Sequence, residues 1–86
     1  MPNMPSPDIQ AKLKKYLCNA KSLFENLKVL KPEGAKLHEM AMAYYRDANH
    51  FYDKGEYING LAALEYGEGW MDAGIELGLL DTVERD

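Results

Sequence analysis

The sequence predicts an all-α protein, a three-helix up-and-down bundle with a left-handed twist. Three observations carry that expectation. Apolar residues recur at alternating spacings of three and four in three successive segments, the pattern of amphipathic helices. Proline or glycine stands at both junctions between those segments. No stretch sustains the period-two alternation of a half-buried strand, so no strand is expected. The chain has 86 residues, 47% hydrophobic and 28% charged, which suits one small domain with a core of its own. The expected organisation is a disordered N-terminus at 1–5, a bundle over 6–81 with helices at about 7–30, 33–54 and 56–80, and a tail at 82–86.

The first segment starts at Ser6-Pro7-Asp8. Ser6 can accept an orphan backbone N–H, Pro7 suits the first helical position, and Asp8 complements the positive end of the helix dipole. Ile9, Leu13, Tyr16, Ala20, Leu23, Leu27 and Leu30 then form an unbroken seam, widened by Leu17 and Phe24. Lys31-Pro32-Glu33-Gly34 ends it, because proline restricts the residue before it and is tolerated only in a first turn.

The second segment carries Leu37, Ala41, Tyr44, Ala48 and Phe51 at the same spacing, flanked by Met40, Tyr45 and Tyr52. Lys54-Gly55 closes it, a cation followed by a residue that enters the left-handed region cheaply. In the third segment Ile58, Leu61, Leu64, Met71, Ile75 and Leu79 give a core face that Leu77 and Leu80 extend. Five glycines also lie there: Gly60, Gly67, Gly69, Gly74 and Gly78. Each costs about 1 kcal/mol relative to alanine inside a helix, so they need a reason. Gly60, Gly67 and Gly74 are seven apart, as are Ala41 and Ala48, so the expected reason is close packing of the second and third helices. The alternative is a kink or loop near Gly67-Glu68-Gly69.

Composition limits the possible functions. Cys18 is the single cysteine, which excludes an intramolecular disulfide and a Cys-rich zinc site and points to a reducing, cytoplasmic setting. No apolar run reaches the ~18–20 residues of a membrane span, and the N-terminus lacks the layout of a signal peptide. The net charge of −4 is unevenly spread: residues 1–31 carry +4 and residues 32–86 carry −8. The basic first helix, with Lys12, Lys14, Lys15, Lys21 and Lys28, is the candidate contact for nucleic acid, but a clustered basic surface with a positive domain charge is missing.

Candidate chemistry is sparse. Asp47 and His50, three apart, mimic the acid-x-x-His element of carboxylate-bridged metal sites in helical bundles. Asp72, with Glu65 and Glu68, is the nearest further ligand candidate on the third helix. The blander alternative makes Asp47 and Asp72 hydrogen-bonding groups and His50 a surface residue. Arg46 and His50 miss by one position the Arg-to-His spacing of some helical ribonucleases. Neither Cys18 nor Ser22 has a histidine in its own segment, and no Gly-rich loop joins a strand to a helix to cradle phosphate. No catalytic residue and no cofactor are assigned. Tyr66 and Trp70, one turn apart beside the core face, are either part of a wide buried stripe or an interaction surface.

The run Tyr44-Tyr45-Arg46-Asp47-Ala48-Asn49-His50-Phe51-Tyr52-Asp53-Lys54-Gly55-Glu56-Tyr57, then Ala62-Ala63-Leu64-Glu65-Tyr66 and Gly69-Trp70-Met71-Asp72-Ala73-Gly74, resembles the short archaeal proteins grouped as domain of unknown function 357. That resemblance implies an up-and-down three-helix bundle in a cytoplasmic archaeal protein and brings no activity with it. Tyr44, Ala48, Phe51 and the Gly55-Glu56-Tyr57 turn are also placed as in a single tetratricopeptide helix pair, without a second copy. The expectation is a non-enzymatic interaction or oligomerisation module that uses Tyr66 and Trp70 and engages a protein partner or itself as a homodimer, with no membrane contact. The alternatives are a metal-dependent enzyme built on Asp47, His50 and Asp72, and a nucleic-acid accessory protein.

Overall fold

The computed structural model describes residues 7–82; the Ser6 cap, the N-terminal stretch 1–5 and the tail beyond 82 lie outside the described residues. Helix α1 spans Pro7–Glu25, α2 spans Ala35–Asp53 and α3 spans Tyr57–Glu76. Two three-residue strands, β1 (Leu27–Val29) and β2 (Leu80–Thr82), follow α1 and α3, and a single 3-10 turn at Pro32–Gly34 leads into α2. This is the expected all-α bundle with a minor sheet at one end.

The glycines explain how α2 and α3 meet. A Cβ placed on Gly60 would stand 3.3 Å from the Ala48 carbonyl oxygen, and one on Gly67 would stand 3.2 Å from that of Ala41. The two pairs run in opposite directions along the chain, so α2 and α3 are antiparallel and their backbones touch where side chains are absent or small. Leu13 and Phe24 of α1 approach Gly60 and Gly67 in the same order, which makes α1 parallel to α3 and antiparallel to α2. Helix α3 runs unbroken through Gly67 and Gly69, so close packing rather than a kink accounts for the stripe.

Both α2 and α3 end in the same way. Gly55 and Gly78 adopt φ of +79° and +73°. At the first, Gly55 N–H donates to Tyr52 O at 3.0 Å and Glu56 N–H to Phe51 O at 2.8 Å; at the second, Gly78 N–H donates to Ile75 O at 3.0 Å and Leu79 N–H to Gly74 O at 2.9 Å. These paired bonds are Schellman caps, which satisfy carbonyls that the helix leaves orphaned.

The second cap reverses the chain, and this is where the sequence expectation needs correction. The first helix stops at Glu25 rather than near residue 30, the third stops at Glu76 rather than near 80, and strands replace what was expected to be helix. Leu27 pairs with Thr82, Lys28 with Asp81 and Val29 with Leu80 in antiparallel register. The exchange satisfies the end of α1: the Thr82 hydroxyl donates to Leu23 O at 2.9 Å, and the His38 ring nitrogen Nε2 lies 3.1 Å from Leu27 O. Leu80, fully buried, settles over Gly74, whose missing Cβ makes the space.

The core is Leu13, Leu17, Ala20 and Phe24 of α1, Ala41, Tyr45 and Ala48 of α2, and Ala63, Leu64 and Met71 of α3, closed by Leu27 and Leu80. Phe24 and Tyr45 stack with ring centroids 4.6 Å apart and planes 10° from parallel. Several expected core residues face solvent instead: Ile58, Leu77, Tyr16 and Leu30. Ile58 precedes Gly60 by two positions, about 200° around the helix, so turning the glycine stripe inward turns Ile58 out. Tyr16 gives way to Leu17 for the same reason, since the inward line of α1 is Leu13-Leu17-Ala20-Phe24. Leu77 and Leu30 stand beyond the ends of their helices.

Candidate functional site

Two concave surfaces flank the exposed ridge of α3. On the α2 side, Tyr44 and Tyr66 pack ring against ring, centroids 5.3 Å apart and planes tilted by 30°. Tyr66 is 64% exposed, while Trp70, one turn further, is half-buried against the core. Tyr44, Glu65, Tyr66, Gly69 and Trp70 line a shallow hollow of about 410 Å³. A second hollow of about 210 Å³ continues along the same seam past Asp47, Phe51 and Asn59, with Tyr44 and Tyr66 on its wall. Gly69 has open space where a Cβ would stand, which keeps the ledge beside Trp70 uncovered. Tyr66 is shared by both hollows.

On the α1 side lies a groove of about 370 Å³. Tyr16, Asn19, Ala20 and Leu23 line it from α1, and Leu61, Leu64, Glu65 and Glu68 from α3. Both quartets carry the spacing i, i+3, i+4, i+7, so each is one face of its helix. Ala20 and Leu64 are buried, Leu23, Leu61 and Glu68 are half-buried, and Glu65 is exposed. Burial pushes the Glu68 carboxyl above the ordinary range, and the charges of Asp72 and Glu65 push it the same way.

The residues singled out for metal chemistry are not assembled. Asp47, His50 and Asp72 are all exposed. Among the described residues, no group of three or more His, Cys, Asp or Glu side chains is arranged to hold a metal ion. Asp47 instead borders the hollow beside Phe51 and Asn59. His50 leans its ring toward Phe51, centroids 6.3 Å apart. Cys18 is exposed. Lys12, Lys14, Lys15, Lys21 and Lys28 are exposed too. Among the described residues the ion pair is Lys36 Nζ to Glu39 Oε1 at 3.6 Å within α2, so none joins the lysines of α1 to the carboxylates of α3.

Sequence reasoning missed Tyr16, Asn19 and Tyr44 as surface residues. The first two share their spacing with Ala20 and Leu23, and that register matches Leu61, Leu64, Glu65 and Glu68 on the partner helix. The signal was present as a second face, hidden by the stronger core stripe.

The fold recurs elsewhere. Protein AF1782 from Archaeoglobus fulgidus, whose crystal structure is known and which matches the same family model, superposes with a TM-score of 0.73. The match covers 88% of this chain and 95% of that one at 20% sequence identity, a likeness of fold. No curated protein matches the chain. No helix among the described residues is long and apolar enough to cross a membrane. The model of the family described as protein of unknown function (DUF357) matches residues 10–80, nearly the whole bundle, and the chain therefore belongs to that family.

Proposed function

We propose that the protein is a non-enzymatic interaction module of the cytoplasm that docks a protein partner on the aromatic ledge between α2 and α3. The observation that supports this reading most is Tyr66. A large aromatic side chain, 64% exposed and packed at a tilt against Tyr44, stands where two hollows join. Tyrosine and tryptophan dominate interface energetics because they bring a large rigid apolar area at small entropic cost. Trp70 is half-buried and anchored, so it serves as a fixed floor while Tyr66 supplies the accessible edge. Asp47 and Glu65 border the hollows and give the ledge a negative rim. A rim of one sign disfavours symmetric pairing of two ledges, so a different protein is the occupant rather than a second copy.

The test is affinity capture from the native cell followed by reconstitution of the purified pair. A partner held by the wild-type protein and by Tyr66→Phe, and released by Tyr66→Ala with the thermal stability unchanged, supports the ledge. Equal binding by Tyr66→Ala overturns it. Elemental analysis showing stoichiometric iron, manganese or zinc in the purified protein would overturn the non-enzymatic reading.

A further inference from the structure

We propose that the groove between α1 and α3 is a binding site for a small organic cation, an aliphatic amine with an apolar stem. The site lies across the α3 ridge from the aromatic ledge, and Glu65 on the ridge borders both. Its floor is apolar: Ala20 and Leu23 on one side, Leu61 and Leu64 on the other. Its carboxylates are gathered at the α3 wall, where Glu65 and Glu68 stand one turn apart, opposite the Asn19 amide and Tyr16 on α1. Among the described residues no lysine or arginine lines the groove, although α1 carries four lysines elsewhere on its surface. An amine therefore meets matched surroundings. Its stem covers Leu23 and Leu61, which are half-exposed to water, and its ammonium donates to two carboxylates that lack a cationic partner among the described residues.

Two further features fit this ligand class. Tyr16 lines the α1 wall, and an aromatic ring is a group that attracts an ammonium. The volume of about 370 Å³ falls in the range of small-molecule sites. Glu68 is held part-protonated at higher pH than an ordinary carboxylate, by burial and by Asp72 and Glu65. A bound cation offsets all of these influences.

The probe is n-octylammonium, titrated at sub-millimolar to low-millimolar concentration into the 15N-labelled full chain and followed by amide chemical shifts. Saturable shifts confined to Asn19, Leu23, Leu61, Leu64 and Glu68 are expected, with no comparable response to n-octanoate. Glu68→Gln and Glu65→Gln are each expected to weaken the affinity about three- to fivefold, the size of a half-exposed charge pair. Both side chains reach solvent, so neither variant threatens the fold. Equal response to n-octanol, or unchanged affinity in both variants, removes the charge recognition and overturns the proposal. Unsaturable shifts scattered over the surface overturn it as well, as does broadening of the groove that scales with protein concentration alone, which would assign the groove to a second copy.

Discussion

Helix α3 meets its two neighbours by opposite means. Against α2 it offers glycine, so that the Ala41 and Ala48 carbonyls come within van der Waals distance of its backbone. Toward α1 the same Gly60 and Gly67 receive side-chain ends, Leu13 Cδ2 and Phe24 Cζ, while Leu61 and Leu64 border the groove that α1 leaves open. Backbone-to-backbone packing leaves only shallow hollows beside the α2–α3 seam, and side-chain packing leaves a groove between α1 and α3. The molecule thus has a stiff hairpin, α2 with α3, on which α1 rests through a few large residues.

The sharpest way to break that contrast is to remove the residue through which α1 holds on. Phe24 is almost fully buried, stacks on Tyr45 and reaches Gly67. Phe24→Ala is expected to cost about 3–5 kcal/mol, measured by chemical denaturation. Hydrogen exchange should show α1 losing protection ahead of the α2–α3 hairpin. Equal loss in all three helices would mean that the two seams do not differ.

The glycine seam is tested by the methyl group that it lacks. A Cβ on Gly60 would press on Leu13 Cδ2 at 2.7 Å and on the Ala48 carbonyl oxygen at 3.3 Å. Leu13 is fully buried and has little room to retreat. Gly60→Ala is expected to lose about 2 kcal/mol despite the better helix propensity of alanine. Gly69→Ala is the control, because nothing stands near its added methyl; it should gain about 1 kcal/mol. Opposite shifts of melting temperature from the same substitution, nine positions apart in one helix, would separate packing from propensity. Stabilisation by both would show the seam to be looser than the distances imply.

The same contrast explains what was legible in the sequence. The spacing of Gly60, Gly67 and Gly74 against Ala41 and Ala48 revealed the close seam, because seven-residue repeats of small residues have one structural use on paired helices. The closing strands were not legible. Leu27 and Leu30 continue the α1 seam at helical spacing, and three residues are too few to reveal an alternation of period two. Gly78 looked like one more member of the small stripe, yet its positive φ makes it the point where the chain turns back. What ended α1 was a long-range partner, Thr82, whose hydroxyl bonds Leu23 O from 59 residues away. Thr82→Val keeps the shape and removes that bond, at an expected loss of about 1 kcal/mol by thermal denaturation. The exposed ledge at Tyr66 was visible as an aromatic residue in excess of the core stripe, while the α1–α3 groove depended on how two helices align.

The groove left by side-chain packing also makes the smallest and most specific prediction. Glu68 has a folded pKa raised above its ordinary value, first by burial and then by Asp72 and Glu65. A carboxyl raised in the folded state binds its proton more tightly there than in the unfolded chain, so it favours folding below the unfolded value. That contribution disappears as the pH climbs through the raised folded value. Glu68→Gln removes the titration, so its melting temperature relative to wild type should rise as the pH is taken upward from the ordinary glutamate range, and then level off. Gly60 on the glycine seam faces Leu13, Ala48 and Phe51 and no carboxyl, so the melting-temperature shift of Gly60→Ala should be the same across that range. A pH-independent difference for Glu68→Gln would mean that the groove is wet enough to leave its carboxylate unperturbed, and would remove the electrostatic distinction between the two faces of α3.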